Sequence, residues 1–344
     1  MGFPETCFVG SFQGRVQAAR CVAQASQPCG LPLDLPEGCG CFDVFRVIDE
    51  ARKEADGESR ESLPTAWITG AGGLLGHALV EVGRALGVPW ILRPLTREEV
   101  DLADFRSVEA CWNRDRPALV IHCAALSRSP VCQAQPRLAW EQNVEVTRRL
   151  VTLAGEAVFV FFSSDLVFDG RKGGYREEDP PNPLNVYGET KAAAEQVVRA
   201  HPRHLIVRTS LNGGRSPTGD RGFNEQLCRA WAAGETTTLF VDEYRCPIAA
   251  TETARRVWQL ILRGASGTFH VAGGERLSRW ELGCLLAARW LELRPRLQPE
   301  SLRDYAGPPR PADTSLDCHK AEALLGEPMP KFREWLALQP PGSF

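Results

Sequence analysis

The chain has 344 residues, 43% hydrophobic and 24% charged, with a formal net charge of -3; that is enough apolar material for a large core and no basic surplus of the kind nucleic-acid binding needs. No apolar run nears the roughly 20 residues a bilayer-spanning helix requires, and no basic-then-apolar leader opens the chain, so a cytoplasmic protein with neither membrane nor nucleic acid as partner is expected. Its 12 cysteines are scattered without a paired C-x-x-C, so reduced thiols and no metal are expected.

Residues 1–62 carry no sustained period, are rich in Gly, Pro and Cys, and close on a charged run over 49–61. They read as an N-terminal extension of unknown role, folded or disordered. From residue 65, short apolar runs alternate with helical patterns, the mark of a parallel sheet covered by helices on both faces. The runs predict strands over 66–68, 90–92, 118–122, 158–162 and 205–208, with helices over 74–86 and 136–154 and a further one carrying Tyr187 and Lys191. Residues 63–210 thus form a doubly wound α/β core. Beyond Ser210 the regularity loosens, with helices predicted over 224–233, 251–262, 280–290 and 331–338 and strands over 238–241 and 269–271. Residues 211–344 are expected to complete the core and build a smaller substrate-binding lobe over the carboxyl ends of the strands.

Thr69-Gly70-Ala71-Gly72-Gly73-Leu74-Leu75-Gly76 follows the first strand and opens a helix. In that setting glycines let the backbone approach a pyrophosphate, and the helix N-terminus offers it unpaired N–H groups. A dinucleotide is therefore expected against Gly70, Gly73, Leu74, Leu75 and Gly76. The second strand is expected to end at Arg93, with Arg97 soon after; Arg rather than an acid there suits a ribose 2′-phosphate, so NADP(H) is preferred and NAD(H) admitted. Asp101 and Leu102 follow in a turn suited to the adenine, and the small residues Cys123, Ala124 and Ala125 after the third strand leave room for a ribose. A solvated Arg and a helix-capping Asp are the plain alternatives at these positions.

Tyr187 and Lys191 stand four apart on a predicted helix and share a face. An ammonium near a phenol favours the phenolate, lowering a pKa that starts near ~10 and making the Tyr a usable proton donor and acceptor. Ser164, in Ser163-Ser164-Asp165 at the end of the fourth strand, brings a hydroxyl able to hold a substrate carbonyl, with Asp165 beside it. Alone, such a serine would make a local turn hydrogen bond; in this chain order the three side chains read as one catalytic set.

With the run 163–170, Tyr175-Arg176-Glu177-Glu178-Asp179 and Pro183-Leu184-Asn185-Val186-Tyr187, these pieces resemble the extended short-chain dehydrogenases, and within them the dTDP-4-dehydrorhamnose reductase branch, over residues 65 to about 340. The resemblance implies a Rossmann core with Tyr187 as the acid, Lys191 on the nicotinamide ribose, Ser164 in the usual Thr/Ser place and Asn143 near the cofactor. It implies hydride transfer from NADPH to the C4 ketone of a nucleotide-linked deoxysugar, as in dTDP-L-rhamnose-type carbohydrate biosynthesis, and it admits a homodimer. Arg245, within 242–247, falls where the family meets substrate and suits a diphosphate; an exposed Arg is the alternative. Two positions depart from the pattern: Leu166 and Leu211 stand where that reductase typically has Tyr and Trp, which points to a different sugar. Residues 121–125, 267–270 and 316–318 also resemble the NADP-binding regulatory β-subunit of methionine adenosyltransferase. Epimerase or dehydratase chemistry on a retained NAD is a third reading, and the missing acid at the second strand end counts against it.

Overall fold

The computed structural model describes residues 63–340; the expectations for residues 1–62, their cysteines included, lie outside the described residues. The chain opens with β1 (Thr65–Thr69), α1 (Leu74–Leu86), β2 (Ile91–Leu95), α2 (Phe105–Asp115) and β3 (Leu119–His122). Then come α3 (Ser129–Ala134), α4 (Pro136–Trp140) and α5 (Val146–Ala154), the last two joined by a π turn at Glu141–Glu145. β4 (Val158–Ser164), a 3-10 turn at Asp165–Val167, α6 (Val186–Arg199) and β5 (His204–Thr209) follow. The remainder supplies β6 (Asn212–Gly213), α7 (Phe223–Ala232), β7 (Thr236–Phe240), β8 (Tyr244–Arg245), β9 (Ile248–Ala249), α8 (Ala250–Leu262), β10 (Gly267–His270), β11 (Leu277–Ser278), α9 (Arg279–Ala287), β12 (Arg296–Glu300), α10 (His319–Leu325) and α11 (Phe332–Leu338).

Six parallel strands form the central sheet in the order β2-β1-β3-β4-β5-β10. Each inner strand is apolar on both faces, because successive side chains point to opposite sides and both sides are covered. Ala66, Ile68, Leu119, Ile121, Val160, Phe162, Leu205 and Val207 pack under α1 and α8. Trp67, Val120, Phe159, Phe161 and Ile206 pack with Val146, Leu150, Ala194 and Val198 of α5 and α6 on the other face. On the first face, α8 lies so close to α1 that a Cβ at Gly83 would come within 3.0 Å of the Trp258 ring, whose Nε1 donates to the Leu79 carbonyl at 2.9 Å. A separate apolar cluster of Phe223, Trp231, Leu277, Leu282, Leu286, Trp290, Phe332 and Leu336 holds the small lobe together.

The strand order reverses between β1 and β3, and the crevice at the carboxyl ends of such strands is where α/β sheets bind ligands. Two departures from the predicted elements bear on that crevice. β2 runs past Arg93 to Leu95, through Pro94; it is the sheet edge, where a residue without an N–H is tolerated. β4 runs on to Ser164, so both serines belong to the strand itself.

Behind Ser163 lies a buried ion pair. Arg208 of β5 donates from Nε and Nη2 to the two oxygens of Glu195 on α6, each at 2.8 Å, and Ser163 Oγ donates to the same carboxylate at 2.6 Å. Both ion-pair partners are fully buried. Burial alone would raise the Glu195 pKa, yet the Arg208 guanidinium holds it below the ordinary range. Arg208→Met would leave a carboxylate in the core with too few partners, and a destabilisation of about 3–5 kcal/mol is expected in chemical denaturation; a variant within about 0.5 kcal/mol of wild type would contradict this.

Candidate active site

The turn after β1 is built around Gly70, whose φ of +70° suits glycine and whose Cα lies so near the turn after β3 that a Cβ there would sit 2.7 Å from Ala124 N. A Cβ at Gly76 would likewise collide with the Gly70 carbonyl. The glycines thus bring the β1–α1 turn and residues 123–125 into contact across the switch point. Gly73 caps α1 without a side-chain acceptor, so the first-turn N–H groups, those of Leu74, Leu75 and Gly76, have no intrahelical partner. They form a partly positive helix end of the kind that suits an anionic phosphate group.

Beneath this turn runs a buried hydrogen-bonded chain. Thr147 Oγ1 donates to the Asn143 carbonyl at 2.7 Å and accepts from His122 Nε2 at 3.1 Å, while His122 Nδ1 accepts from Thr69 Oγ1 at 2.7 Å. Burial, with Lys191 nearby, pushes His122 down to about 3, so it stays neutral. Asn143 sits in the π turn, an arrangement frequent at functional sites. Its Oδ1 accepts from Leu126 N at 2.7 Å, and its Nδ2 donates to Leu126 O at 3.1 Å and Thr190 Oγ1 at 2.9 Å. It therefore braces the 123–126 loop against α6.

Asn185 caps α6 by accepting from Gly188 N at 2.9 Å, which sets Tyr187 in the first turn, facing the end of β4. At Gly188 a Cβ would strike the Leu166 carbonyl, so glycine is what allows α6 to close on the 3-10 turn behind Ser164. Thr190 Oγ1 donates to the Tyr187 carbonyl at 2.8 Å. Ser164 Oγ donates to Asp165 Oδ1 at 3.0 Å, accepts from Leu166 N at 3.1 Å, and lies within hydrogen-bonding reach of the Tyr187 phenol.

The expected pKa arrangement is inverted. Burial, followed by the Asp165 carboxylate, pushes the Tyr187 phenol well above the usual tyrosine range, with Ser164 pulling weakly the other way. Lys191 does not pull it down, because its ammonium lies over the Phe161 ring, 4.0 Å from the centroid, and hydrogen-bonds to no described residue. Burial depresses Lys191 to about 8, against the opposing pull of Cys123 and Glu195. Near neutral pH the site therefore holds a protonated phenol and a buried ammonium whose N–H groups are uncommitted.

Gly70, Gly73, Leu74, Leu75, Gly76, Cys123, Ala124, Ala125, Asn143, Ser164, Tyr187 and Lys191 are thus gathered at the carboxyl ends of β1, β3 and β4. Five other expected residues, Arg93, Asp101, Leu102, Asp165 and Arg245, lie elsewhere or are already engaged. Arg93 sits inside β2, where it pairs with Glu99 at 3.2 Å and Asp115 at 3.5 Å; Arg97 is the basic residue past the strand end, exposed and only loosely paired with Asp101 at 3.8 Å. Asp101 Oδ1 accepts from Ala103 N at 3.0 Å, and Leu102 packs against the α2 side of the core. Asp165 is buried, accepting from Ser210 at 2.7 Å and Thr314 at 3.0 Å. Arg245, expected on a substrate diphosphate, is turned inward onto Glu243 at 3.1 Å and the Pro311 carbonyl at 3.2 Å. The reason is charge: a guanidinium with two carboxylates in reach stays with them when buried. Of the residues the sequence did not single out, Gly188 and Thr190 lie within the Tyr187–Lys191 segment, and their signal was the first-turn glycine and the hydroxyl at i+3.

The family model described as RmlD substrate binding domain matches residues 65–339. The chain is 32% identical over 292 residues to the "Probable low-salt glycan biosynthesis reductase Agl14" of Haloferax volcanii, covering 79% of this chain and 96% of that protein. It is 30% identical over 278 residues to methionine adenosyltransferase 2 subunit beta of Bos taurus, covering 76% and 83%. Among solved structures, a dTDP-4-dehydrorhamnose reductase from Bacillus anthracis str. Ames in complex with NADP superposes with a TM-score of 0.72 at 26% identity, over 80% of this chain and 98% of that one. Matched from the glycine turn to the last helix, the chain belongs to the RmlD substrate binding domain family of extended short-chain dehydrogenase/reductases.

Proposed function

We propose that the protein is an NADPH-dependent reductase of a 4-keto, nucleotide-linked sugar. The observation that carries this reading is the convergence of Ser164, Tyr187 and Lys191 beside a glycine turn whose uncapped helix end fits a dinucleotide. When bound, the cofactor supplies the hydride. Lys191 holds the nicotinamide ribose hydroxyls with its uncommitted N–H groups, Ser164 orients the substrate carbonyl oxygen, and Tyr187 gives that oxygen a proton. A phenol that stays protonated suits the reductive direction, in which the tyrosine must begin as an acid. NADP(H) is favoured over NAD(H): the residues past β2 are Thr96 and Arg97, and the nearby Glu99 is occupied by Thr96 N at 3.0 Å and by Arg93. Arg97 takes the 2′-phosphate role first expected of Arg93. Leu211 packs into the small-lobe cluster and Leu166 occupies the 3-10 turn, so the pocket lacks two aromatics expected for dTDP-4-dehydrorhamnose and accepts a related 4-keto sugar.

Mixing the protein with NADPH and a panel of 4-keto nucleotide sugars, and following NADPH oxidation, tests the reading. A second reading is supported by the 30% identity to the methionine adenosyltransferase subunit: an NADP-binding regulatory subunit with a retained site. Tight NADPH binding without oxidation of any panel member, together with capture of a methionine adenosyltransferase, would favour it. Ionisation of Lys191 gives a further check. Its ammonium is present below about 8 and lost above, so NADPH affinity should fall as pH rises through that value, by roughly tenfold. In Lys191→Met the affinity should be weak and flat over the same range. His122 and His270, held neutral at about 3 and about 4, contribute nothing there.

A further inference from the structure

On the small-lobe side of Ser164, Asp165, Glu243, Arg245, Arg279 and Arg310 come together from four segments of the chain. The two carboxylates are consumed within the protein: Asp165 by three hydroxyls and by Arg245 at 3.6 Å, Glu243 by Arg245 at 3.1 Å and Arg310 at 2.7 Å. Arg279 is placed differently. Its backbone N–H donates to the Glu243 carbonyl at 2.9 Å at the start of α9, which fixes its position next to β8. The guanidinium is half-buried and makes no hydrogen bond or ion pair with any described residue. Burial, then the neighbouring Arg245 and Arg310, push its pKa down, against the pull of Glu243 and Asp165. Three guanidiniums thus face two carboxylates, and the surplus positive charge belongs to the one fork of N–H donors left open, beside the carboxylate that holds the Ser164 hydroxyl. A planar guanidinium in that state is built for a bidentate oxyanion.

We propose that Arg279 is an oxyanion subsite of the substrate cleft, taking either a phosphate of the nucleotide or a carboxylate on the sugar. The inference rests on the nucleotide-sugar reading for the identity of the ligand, though not for the existence of the site. The test is calorimetric titration of the full chain saturated with NADP, so that the pyrophosphate site at α1 is filled, using inorganic pyrophosphate, UDP-glucose and UDP-glucuronate as probes. Arg279→Gln should weaken binding by about 10- to 100-fold, and Arg279→Lys should recover part of it by restoring the charge without the fork. An equal loss on all three probes identifies the diphosphate as the group read, and a loss confined to UDP-glucuronate identifies the carboxylate. Pyrophosphate binding that depends on Arg279, with neither sugar nucleotide bound, would uphold the subsite and overturn the nucleotide-sugar reading. Wild-type affinity in Arg279→Gln for every probe, or no binding of any probe to the wild type, would overturn the proposal.

Discussion

Tyr187→Phe is expected to lower turnover of the 4-keto substrate by between about a hundredfold and ten-thousandfold, the range spanned by loss of a positioned general acid. The ring stays in place, because Asn185 caps α6 and Gly188 lets the helix close on Leu166 whether or not the phenol oxygen is there. What disappears is the proton donor and its hydrogen bond to Ser164. NADPH affinity should therefore remain close to wild type, so the loss appears in kcat rather than in cofactor binding. Stopped-flow turnover and fluorescence titration of NADPH on the same preparation separate the two. Turnover at the wild-type rate would remove Tyr187 from the mechanism.

The second large effect is expected for Gly73→Asp. Gly73 is the N-cap of α1, at φ -93° and ψ 173°, a conformation any residue adopts and a position where Asp is among the favoured caps. Its Cβ would meet the Gly70 carbonyl at 3.2 Å, a contact relieved by a shift of a few tenths of an ångström. Folding stability should thus be nearly unchanged. A carboxylate facing a pyrophosphate at about 4 Å costs about 4 kcal/mol at an effective dielectric near 20, so NADPH affinity should fall by a hundredfold or more. Thermal denaturation with and without NADPH measures both quantities: the unliganded midpoint should hold while the cofactor-induced shift vanishes. A retained shift would place the dinucleotide elsewhere.

The parts of this architecture that depend on local period were legible in the sequence. α1 lies where its helical pattern and glycine turn put it, and β1, β3, β4 and β5 follow apolar runs that pack on both faces. α2 escaped the reading because it buries Val108 alone outright, too thin a stripe to register as a period. β2 runs two residues past Arg93, where its short apolar run predicts the end, because an edge strand admits Pro94. Within the site, sequence order named Ser164, Tyr187 and Lys191 but not their electrostatics. The lysine was expected to draw the tyrosine pKa down; the fold instead lays the ammonium over Phe161 and sets Asp165 beside the phenol. Arg245 looked available because its partners, Glu243 apart, are remote in sequence: Asp165 lies one strand end away, and the Pro311 carbonyl arrives from near the C-terminus. Arg279 offered no motif at all. The role proposed for it emerges only once Asp165, Glu243, Arg245 and Arg310 are counted together with it.

The most direct test of the central claim is a single-turnover experiment in which protein loaded with NADPH deuterated at the transferable position meets a 4-keto nucleotide sugar. Loss of NADPH absorbance is expected, matched one for one by deuterium at C4 of the product sugar, with neither change in Tyr187→Phe on that timescale. Bound NADPH that stays reduced while every 4-keto nucleotide sugar offered is recovered unchanged would contradict that claim.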